Sequence, residues 1–451
     1  LTGVYYFGGY SLKEISLEPH VNSIKMPENL KIGLMVSESR KKCQNTSCPM
    51  EYYGLAFGQS PLHVPEPLKN GLIENASHGH YSAAEGIAEL RQAIAGFNAR
   101  HFNLKVEPNR IIVGPGTKQL LHMIFDIIAG DVIIPSPSWI GYFPQVKLLN
   151  KHFHTYYLKP EFGYKIQPEN LANFVSKLHK EQHILVLNNP HNPTGAVYSK
   201  NELEKLAKVC REHNIFVVSD EIYALTTYNF EDFTSMGLIY PEGAFITNGL
   251  SKDRSAGGYR LGSCIVPENA SEKLAEAFKK VAATVYTNVT TPVQLGAIKA
   301  YEPNEEIDEY IEIARQLHRM MGSYMSAAFN EIDGIKASTP KGAFYFFADF
   351  NELSEYLIKK DVKDSNALMY SLISHPFHIA TISGDTCLLD PDNFGARIAF
   401  VDYDGKKAFD DYKISPPKSL SDEKEFVENN ALRMIRAVEM LKRYIKFLKN
   451  H

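Results

Sequence analysis

Between residues 110 and 267, six short apolar runs recur, most of them separated by enough chain for a helix. They are "RIIVG" (110–114), "DVIIP" (131–135), "HILVLNN" (183–189), "NIFVVSDE" (214–221), "AFITNG" (244–249) and "GSCIVP" (262–267). Each is continuous and rich in β-branched residues rather than alternating apolar with polar. That is the signature of parallel strands covered on both faces. Between them the spacing turns helical. "SAAE" (82–85) reads as a capping box ahead of Ile87, Leu90, Ile94 and Phe97, and "SKNE" (199–202) as another ahead of Leu203, Leu206 and Cys210. The alternation predicts an α/β fold with a mostly parallel sheet sandwiched by helices. In such sheets ligands bind in loops at the carboxyl ends of strands.

After Thr291 the texture changes. A helical stretch with Tyr310, Ile313, Leu317 and Met321 leads into "PKGAFYFFADF" (340–350), which reads as a strand. An amphipathic helix with Leu432, Ile435, Leu441, Ile445 and Leu448 closes the chain. These features predict a smaller α+β domain over 306–451, a large domain over 56–305, and an N-terminal arm over 1–55 that joins the small domain. The charged, Pro-containing stretch 405–425 reads as an exposed loop.

Composition narrows the function. A net charge of -4 and a pI of about 6.5 supply no basic field for nucleic acid or an anionic membrane. No apolar run is long enough to cross a bilayer, and no charged-then-apolar signal segment opens the sequence. Five scattered cysteines (Cys43, Cys48, Cys210, Cys264 and Cys387) suit a reducing compartment, so a cytoplasmic location is expected. Cys43 and Cys48 have no second pair to complete a zinc site, and "HGH" (78–80) has no further ligand at suitable spacing; no metal is expected.

Four stretches at or after strand ends are candidates for chemistry. "GPGTKQ" (114–119) opens a helix, where free N–H groups and the dipole favour an anion; a tight strand-to-helix turn reads equally well. It is neither a Walker loop nor a Rossmann fingerprint. "NNPHNPTG" (188–195) offers the Asn192 amide, and "SDEIY" puts Asp220 and Tyr223 at the sheet edge. In "NGLSKDRSAGGYRLG" (248–262), Lys252 and Arg260 stand eight residues apart in a loop dominated by small residues.

The order of these motifs resembles the class I/II aminotransferases, pyridoxal-phosphate enzymes of fold type I. The residues that carry the resemblance are "YSAAEGIAELR" (81–91), "GPGTK", "PSPSW" (135–139), "HNPTG", "DEIY", "SK" with Arg260 in "GGYRLG", "PKGAFYFF" and "GARIAF" (395–400). They run in the family's order from about residue 55 to 402. The resemblance implies a seven-stranded, mostly parallel sheet in the large domain, pyridoxal 5'-phosphate as cofactor, and a homodimer.

By the same resemblance Lys252 is the Schiff-base lysine, Asp220 the partner of the pyridine nitrogen, and Tyr223 and Asn192 hydrogen-bond the phenolic oxygen. Gly116, Thr117, Ser251 and Arg260 fall where the family holds the phosphate, with Tyr81 reaching the neighbouring subunit's phosphate. Trp139 stacks on the ring, Arg397 clamps the substrate α-carboxylate and Gly58 closes the carboxylate site. Pro137 and Pro193 stand where cis prolines are expected. Gly249 departs from the pattern, since many relatives have a serine there that contacts the phosphate.

The implied reaction is transamination between an L-amino acid and a 2-oxo acid. Lys118 matches a position where some aspartate-using members face the distal carboxylate, and reads equally well as a first-turn lysine held by the phosphate loop on the cofactor's side or by solvent; the former makes aspartate with 2-oxoglutarate the first substrate pair. Alternatives are aromatic or other neutral amino acids, a lyase or synthase on the same fold, and a non-catalytic binding module. Retention of Lys252, Asp220, Tyr223, Asn192 and Arg260 argues against the last.

Overall fold

A computed structural model describes residues 15–22, 24, 26, 28–44, 52–268 and 272–450. Cys48 lies outside the described residues, and with it any pairing to Cys43. Thirteen strands occur among the described residues. In chain order they are β1 (Tyr53–Gly54), β2 (Ile111–Gly114), β3 (Asp131–Ser136), β4 (Phe153–Tyr157), β5 (His183–Asn188), β6 (Ile215–Asp220), β7 (Ala244–Gly249), β8 (Gly262–Ile265), β9 (Lys336–Ala337), β10 (Tyr345–Asp349), β11 (Ile379–Ala380), β12 (Ile382–Ser383) and β13 (Gly395–Ala399).

The large sheet has the order β2-β8-β7-β6-β5-β3-β4. All its neighbours are parallel except β8, which runs antiparallel to both β2 and β7. The continuous apolar runs are buried on both faces, as two-sided helix cover requires. In β8 the same kind of run belongs to an antiparallel strand, because helices cover it too; apolar continuity reports burial, not direction. Strand β4 escaped the sequence reading because it is the edge strand, with exposed Tyr157 and partly exposed His154 and Thr155 in place of an apolar run.

A small sheet, β12-β13-β10-β9, is antiparallel, and β1 pairs in parallel with β11. Near the N-terminus, helix Glu28–Gln44 buries Ile32 and Val36 against Met369, Ile373, Ala380 and Ile382. Glu28 anchors its first turn, accepting from Ser383 N at 3.1 Å and Thr386 Oγ1 at 2.6 Å.

Three local expectations need correction. "SAAE" does not cap a helix: helix Ala88–Phe102 starts later, after Gly86 at φ 100°. Gln294 takes the capping role instead, its Oε1 accepting from Ile87 N at 2.9 Å and its Nε2 donating to Ser82 Oγ at 3.0 Å. By contrast "SKNE" is a true capping box on helix Lys200–Glu212. The stretch 405–425 is mostly helical, with helices Gly405–Ile414 and Leu420–Asn430 started by Asp404 and Ser419. Its charges are i,i+4 pairs such as Lys406–Asp410 and Lys407–Asp411, so only the turn around Pro416 and Pro417 is a loop. Third, the cis bonds precede Pro137, Pro190 and Pro376; Pro137 meets expectation, whereas the bend assigned to Pro193 lies at Pro190 in the same loop.

Candidate active site

The sheet brings the motif loops to one edge. Strands β2, β3, β5, β6 and β7 run parallel to one another, so the segments following them emerge together. Because β8 is antiparallel, the residues just before it, including Arg260, arrive at that same edge. A cavity of about 540 Å³ lies there, lined among others by Thr117, Lys118, Trp139, Asn192, Asp220, Tyr223, Ser251, Lys252 and Arg260. Three cationic side chains and Asp220 face it, a balance suited to an anionic ligand.

Helix Thr117–Ile127 begins with Gly116 at φ 84°, a left-handed backbone that a side chain strains. A Cβ at Gly116 would lie 2.3 Å from Arg260 Nη2, so the guanidinium occupies the space that glycine leaves open. Arg260 is itself at φ 54°, and its guanidinium donates to Gly257 O at 2.7 Å and Pro115 O at 3.4 Å. A helix N-terminus with a guanidinium across it forms an anion cradle.

Gly249 pairs with Gly262 across β7 and β8. A Cβ at 249 would sit 2.7 Å from Leu261 O and 2.9 Å from Gly262 Cα. The departure at this position is therefore matched by its surroundings: a serine has no room on this backbone.

Asp220 ends β6, buried, with both carboxylate oxygens held. Tyr142 Oη donates to Oδ2 at 2.6 Å, and Thr247 Oγ1 donates to Oδ1 at 3.2 Å. Burial raises its carboxyl above the usual range, while these bonds and the Lys252 charge pull the other way. Tyr142 was missed in the sequence. Its signal was modest: an aromatic three residues past Trp139, whose ring meets it edge-on at 4.9 Å.

Lys252 is half-buried, with Nζ donating to Gly58 O at 2.5 Å and lying 5.7 Å from the Tyr223 ring and 5.6 Å from the Phe344 ring. Desolvation, then the neighbouring Arg397 charge, lowers its pKa to about 8 despite Asp220. Between Lys252 and Arg260 the loop is not merely small. Asp253 and Arg254 form a buried pair, Nε to Oδ1 at 3.0 Å, with the guanidinium 4.7 Å from the Phe97 ring and 4.5 Å from the Tyr301 ring. Arg254 Nη1 also donates to Ala300 O at 3.0 Å. This anchor, likewise missed, fixes the loop on the side of Lys252 away from the cavity.

Asn192 bridges two neighbours: its Nδ2 donates to Tyr223 Oη at 3.4 Å, and its Oδ1 accepts from Arg397 Nη1 at 3.3 Å. Tyr223 Oη lies 3.1 Å from Tyr345 Oη, and Arg397 stacks 4.6 Å from the Tyr345 ring. Arg397 Nη2 donates to Ala56 O at 2.7 Å, while its buried Nε has no hydrogen-bond partner. A second cavity of about 330 Å³ adjoins the first, lined by Gly58, Lys118, Trp139, Lys252, Tyr345 and Arg397 and by apolar Ile24, Ile140, Pro144 and Leu148. Gly58 is a steric requirement, since a Cβ there would fall 2.0 Å from Tyr345 Oη. Lys118 Nζ lies 5.4 Å from the Trp139 ring, and desolvation followed by the Arg260 charge lowers its pKa.

Of the cofactor and substrate residues expected from the sequence, Tyr81 stands apart, on the surface at 88% exposure. No helix among the described residues is long and apolar enough to cross a membrane.

Comparison with known proteins shows the family. The family described as "Aminotransferase class I and II" matches residues 54–402. Aspartate aminotransferase of Bacillus subtilis (strain 168) is 36% identical over 324 residues, covering 69% of this chain and 79% of that protein. A probable aspartate/prephenate aminotransferase of Aquifex aeolicus (strain VF5) is 31% identical over 361 residues, covering 78% of this chain and 88% of the relative. Among solved structures, aspartate aminotransferase from Thermus thermophilus with maleate superposes with a TM-score of 0.78 at 24% identity, covering 96% of this chain and all of that one. That likeness speaks for the fold.

Proposed function

The chain belongs to the class I and II aminotransferases, which use pyridoxal 5'-phosphate, and on that premise we propose that it moves an amino group from L-aspartate to a 2-oxo acid such as 2-oxoglutarate by a ping-pong mechanism. The residues present fit the cofactor. Gly116, Thr117, Ser251 and Arg260 would hold its phosphate in the cradle that a Cβ at 116 would fill. Asp220 would face the pyridine nitrogen, Asn192 and Tyr223 the phenolic oxygen, and Trp139 the ring. When bound, the cofactor supplies an aldehyde that takes up the amino group and a protonated ring that draws electrons from the substrate Cα.

The chain's own groups do the rest. With its pKa lowered to about 8, the Lys252 amine is neutral in a useful fraction of molecules near pH 7 and can carry a proton to and from the substrate Cα. Arg397 would bind the α-carboxylate in two-pronged fashion, and its unpartnered buried Nε supports that role. Tyr142 and Thr247 keep the Asp220 carboxylate aimed into the cavity. Asp253 and Arg254 keep the Lys252 loop from drifting, which preserves the geometry on which proton transfer depends.

One observation carries the choice of aspartate. Lys118, Lys252 and Arg397 line a single cavity, so a second cation is available once Arg397 has taken the α-carboxylate. A dicarboxylic amino acid satisfies both. The apolar wall of Ile24, Ile140, Pro144 and Leu148 favours a second reading, in which an aromatic or other neutral amino acid is also accepted. The surface position of Tyr81 supports a homodimer in which its hydroxyl serves the partner's phosphate.

Mixing the holoenzyme with single amino acids, with no 2-oxo acid present, tests the reading through the cofactor's absorption. Aspartate should convert it stoichiometrically to the amine form, and 2-oxoglutarate should restore it. Conversion by neutral amino acids alone would exclude aspartate as donor.

A further inference from the structure

At the opposite edge of the large sheet, where the parallel strands begin, a carboxylate and several imidazoles converge. Asp131 opens β3, beside β4 on one side and β5 on the other. In the parallel register Asp131 pairs with His183 of β5, and Ile133 pairs with His154 of β4. Paired residues share a face of the sheet, as do residues two apart on one strand. Asp131, His154 and His183 therefore project to the same side, and His152, two residues before His154, joins them.

The distances bear this out. Asp131 Oδ2 lies 3.1 Å from His152 Nδ1 and 3.1 Å from His154 Nε2. One potential ligand atom from each of the three residues lies within 4.8 Å of the others. In a tetrahedral shell with bonds of about 2.0–2.1 Å, neighbouring donors stand about 3.3 Å apart. The carboxylate-to-imidazole separations are already close to that spacing.

A separate observation points to the same place. His183 is 1% exposed, and neither of its ring nitrogens makes a hydrogen bond of ordinary geometry. Its ring centroid lies 6.5 Å from that of His154, and the groups acting on it include Asp131, His154, His213 and the Lys180 backbone. A buried imidazole whose ring nitrogens lack a hydrogen bond of ordinary geometry is unusual.

We propose that Asp131, His152 and His154 bind one divalent transition ion of the zinc class, with the buried His183 ring packed beside them. Two imidazoles and one carboxylate form a borderline donor set that suits zinc, nickel or copper; magnesium and calcium prefer all-oxygen shells. The ion would tie edge strand β4 to β3 at the end of the sheet away from the cofactor cavity. Its role is to stabilise the edge rather than to take part in amino transfer. The expectation of no metal weighed only cysteines and the histidines at 78–80; "HFH" (152–154) passed unnoticed because its carboxylate partner lies on the preceding strand.

Holoenzyme stripped of metal with a chelator and titrated with Zn2+ by calorimetry tests the site, with thermal unfolding as a second readout. One ion should bind per chain and raise the unfolding midpoint. His152→Ala alters a side chain that is 67% exposed, so the fold should survive it. It should weaken binding about tenfold or more and reduce the midpoint shift. Asp131→Asn should do the same, and both variants should keep their aminotransferase activity in the absence of zinc. Zinc binding in either variant as tight as in the parent would overturn the proposal, as would no saturable binding in the parent or an equal midpoint shift with Mg2+.

Discussion

The Tyr142 hydroxyl donates to Asp220 Oδ2 at 2.6 Å across 78 residues of sequence, at the centre of the candidate site. A hydrogen bond to a charged group contributes about 1.5–3 kcal/mol. Tyr142→Phe should therefore lower kcat/KM by roughly 10–100-fold. Removing a donor from the carboxylate also raises the Asp220 pKa further, so the acid limb of the pH profile should move to higher pH. An unchanged profile in steady-state kinetics would show that the bond does not tune Asp220.

Lys118 offers a test of substrate choice. Lys118→Met keeps the length of the side chain and removes its charge. The kcat/KM for aspartate should fall roughly 10–100-fold, as loss of a charge-assisted contact implies, with little change for phenylalanine. Equal losses for both would place Lys118 in cofactor binding instead.

Gly249→Ser tests whether the missing serine is a lost contact or an excluded one. With a Cβ 2.7 Å from Leu261 O, the substitution should destabilise the protein by about 1–3 kcal/mol, without tighter cofactor binding. Chemical denaturation and cofactor titration read the two effects separately. Tighter cofactor binding at unchanged stability would contradict the steric account.

How much of this was legible beforehand follows from what each residue does. Lys252, Asn192 and Arg260 stand in loops close to strands and Asp220 ends β6, where packing alone gives no reason for a charge or an amide, so the sequence exposes them. Tyr142 and the Asp253–Arg254 pair act through other residues. Their partners lie on distant segments, 78 residues away for Tyr142, and Arg254 reads as one more polar residue in a loop, although its guanidinium packs against the edge-on pair of Phe97 and Tyr301. The helices within 405–425 were hidden by their charge, because the few apolar positions that pack, such as Phe409 and Phe426, are too sparse to show a period. Edge strand β4 was hidden for the opposite reason: one exposed side breaks the apolar continuity that marks its neighbours.

Glu221 links the site to stability. It is buried beside Asp220, its Oε1 accepting from Ser219 Oγ and Met236 N, each at 2.9 Å. Desolvation raises its pKa from 4.5 to about 7. A carboxyl raised in the folded state holds a proton there that the unfolded chain has already released. Its contribution is therefore favourable below the unfolded value and is lost as pH rises through about 7. The span corresponds to roughly 3 kcal/mol at most. Glu221→Gln keeps an acceptor for both donors, so it should raise the melting temperature at pH 8 relative to the parent, with a smaller gain at pH 5. The opposite ordering would show that Glu221 is stabilised as a carboxylate.

The central claim is that the Lys252 amine moves the proton at the substrate Cα. Its most direct measurement is exchange of the Cα hydrogen of L-aspartate into deuterated water, followed by NMR with cofactor-loaded protein and no 2-oxo acid. The parent should wash the hydrogen out, and Lys252→Ala, loaded with the same cofactor, should slow the exchange by several orders of magnitude. Exchange in Lys252→Ala at the parent's rate would contradict the account.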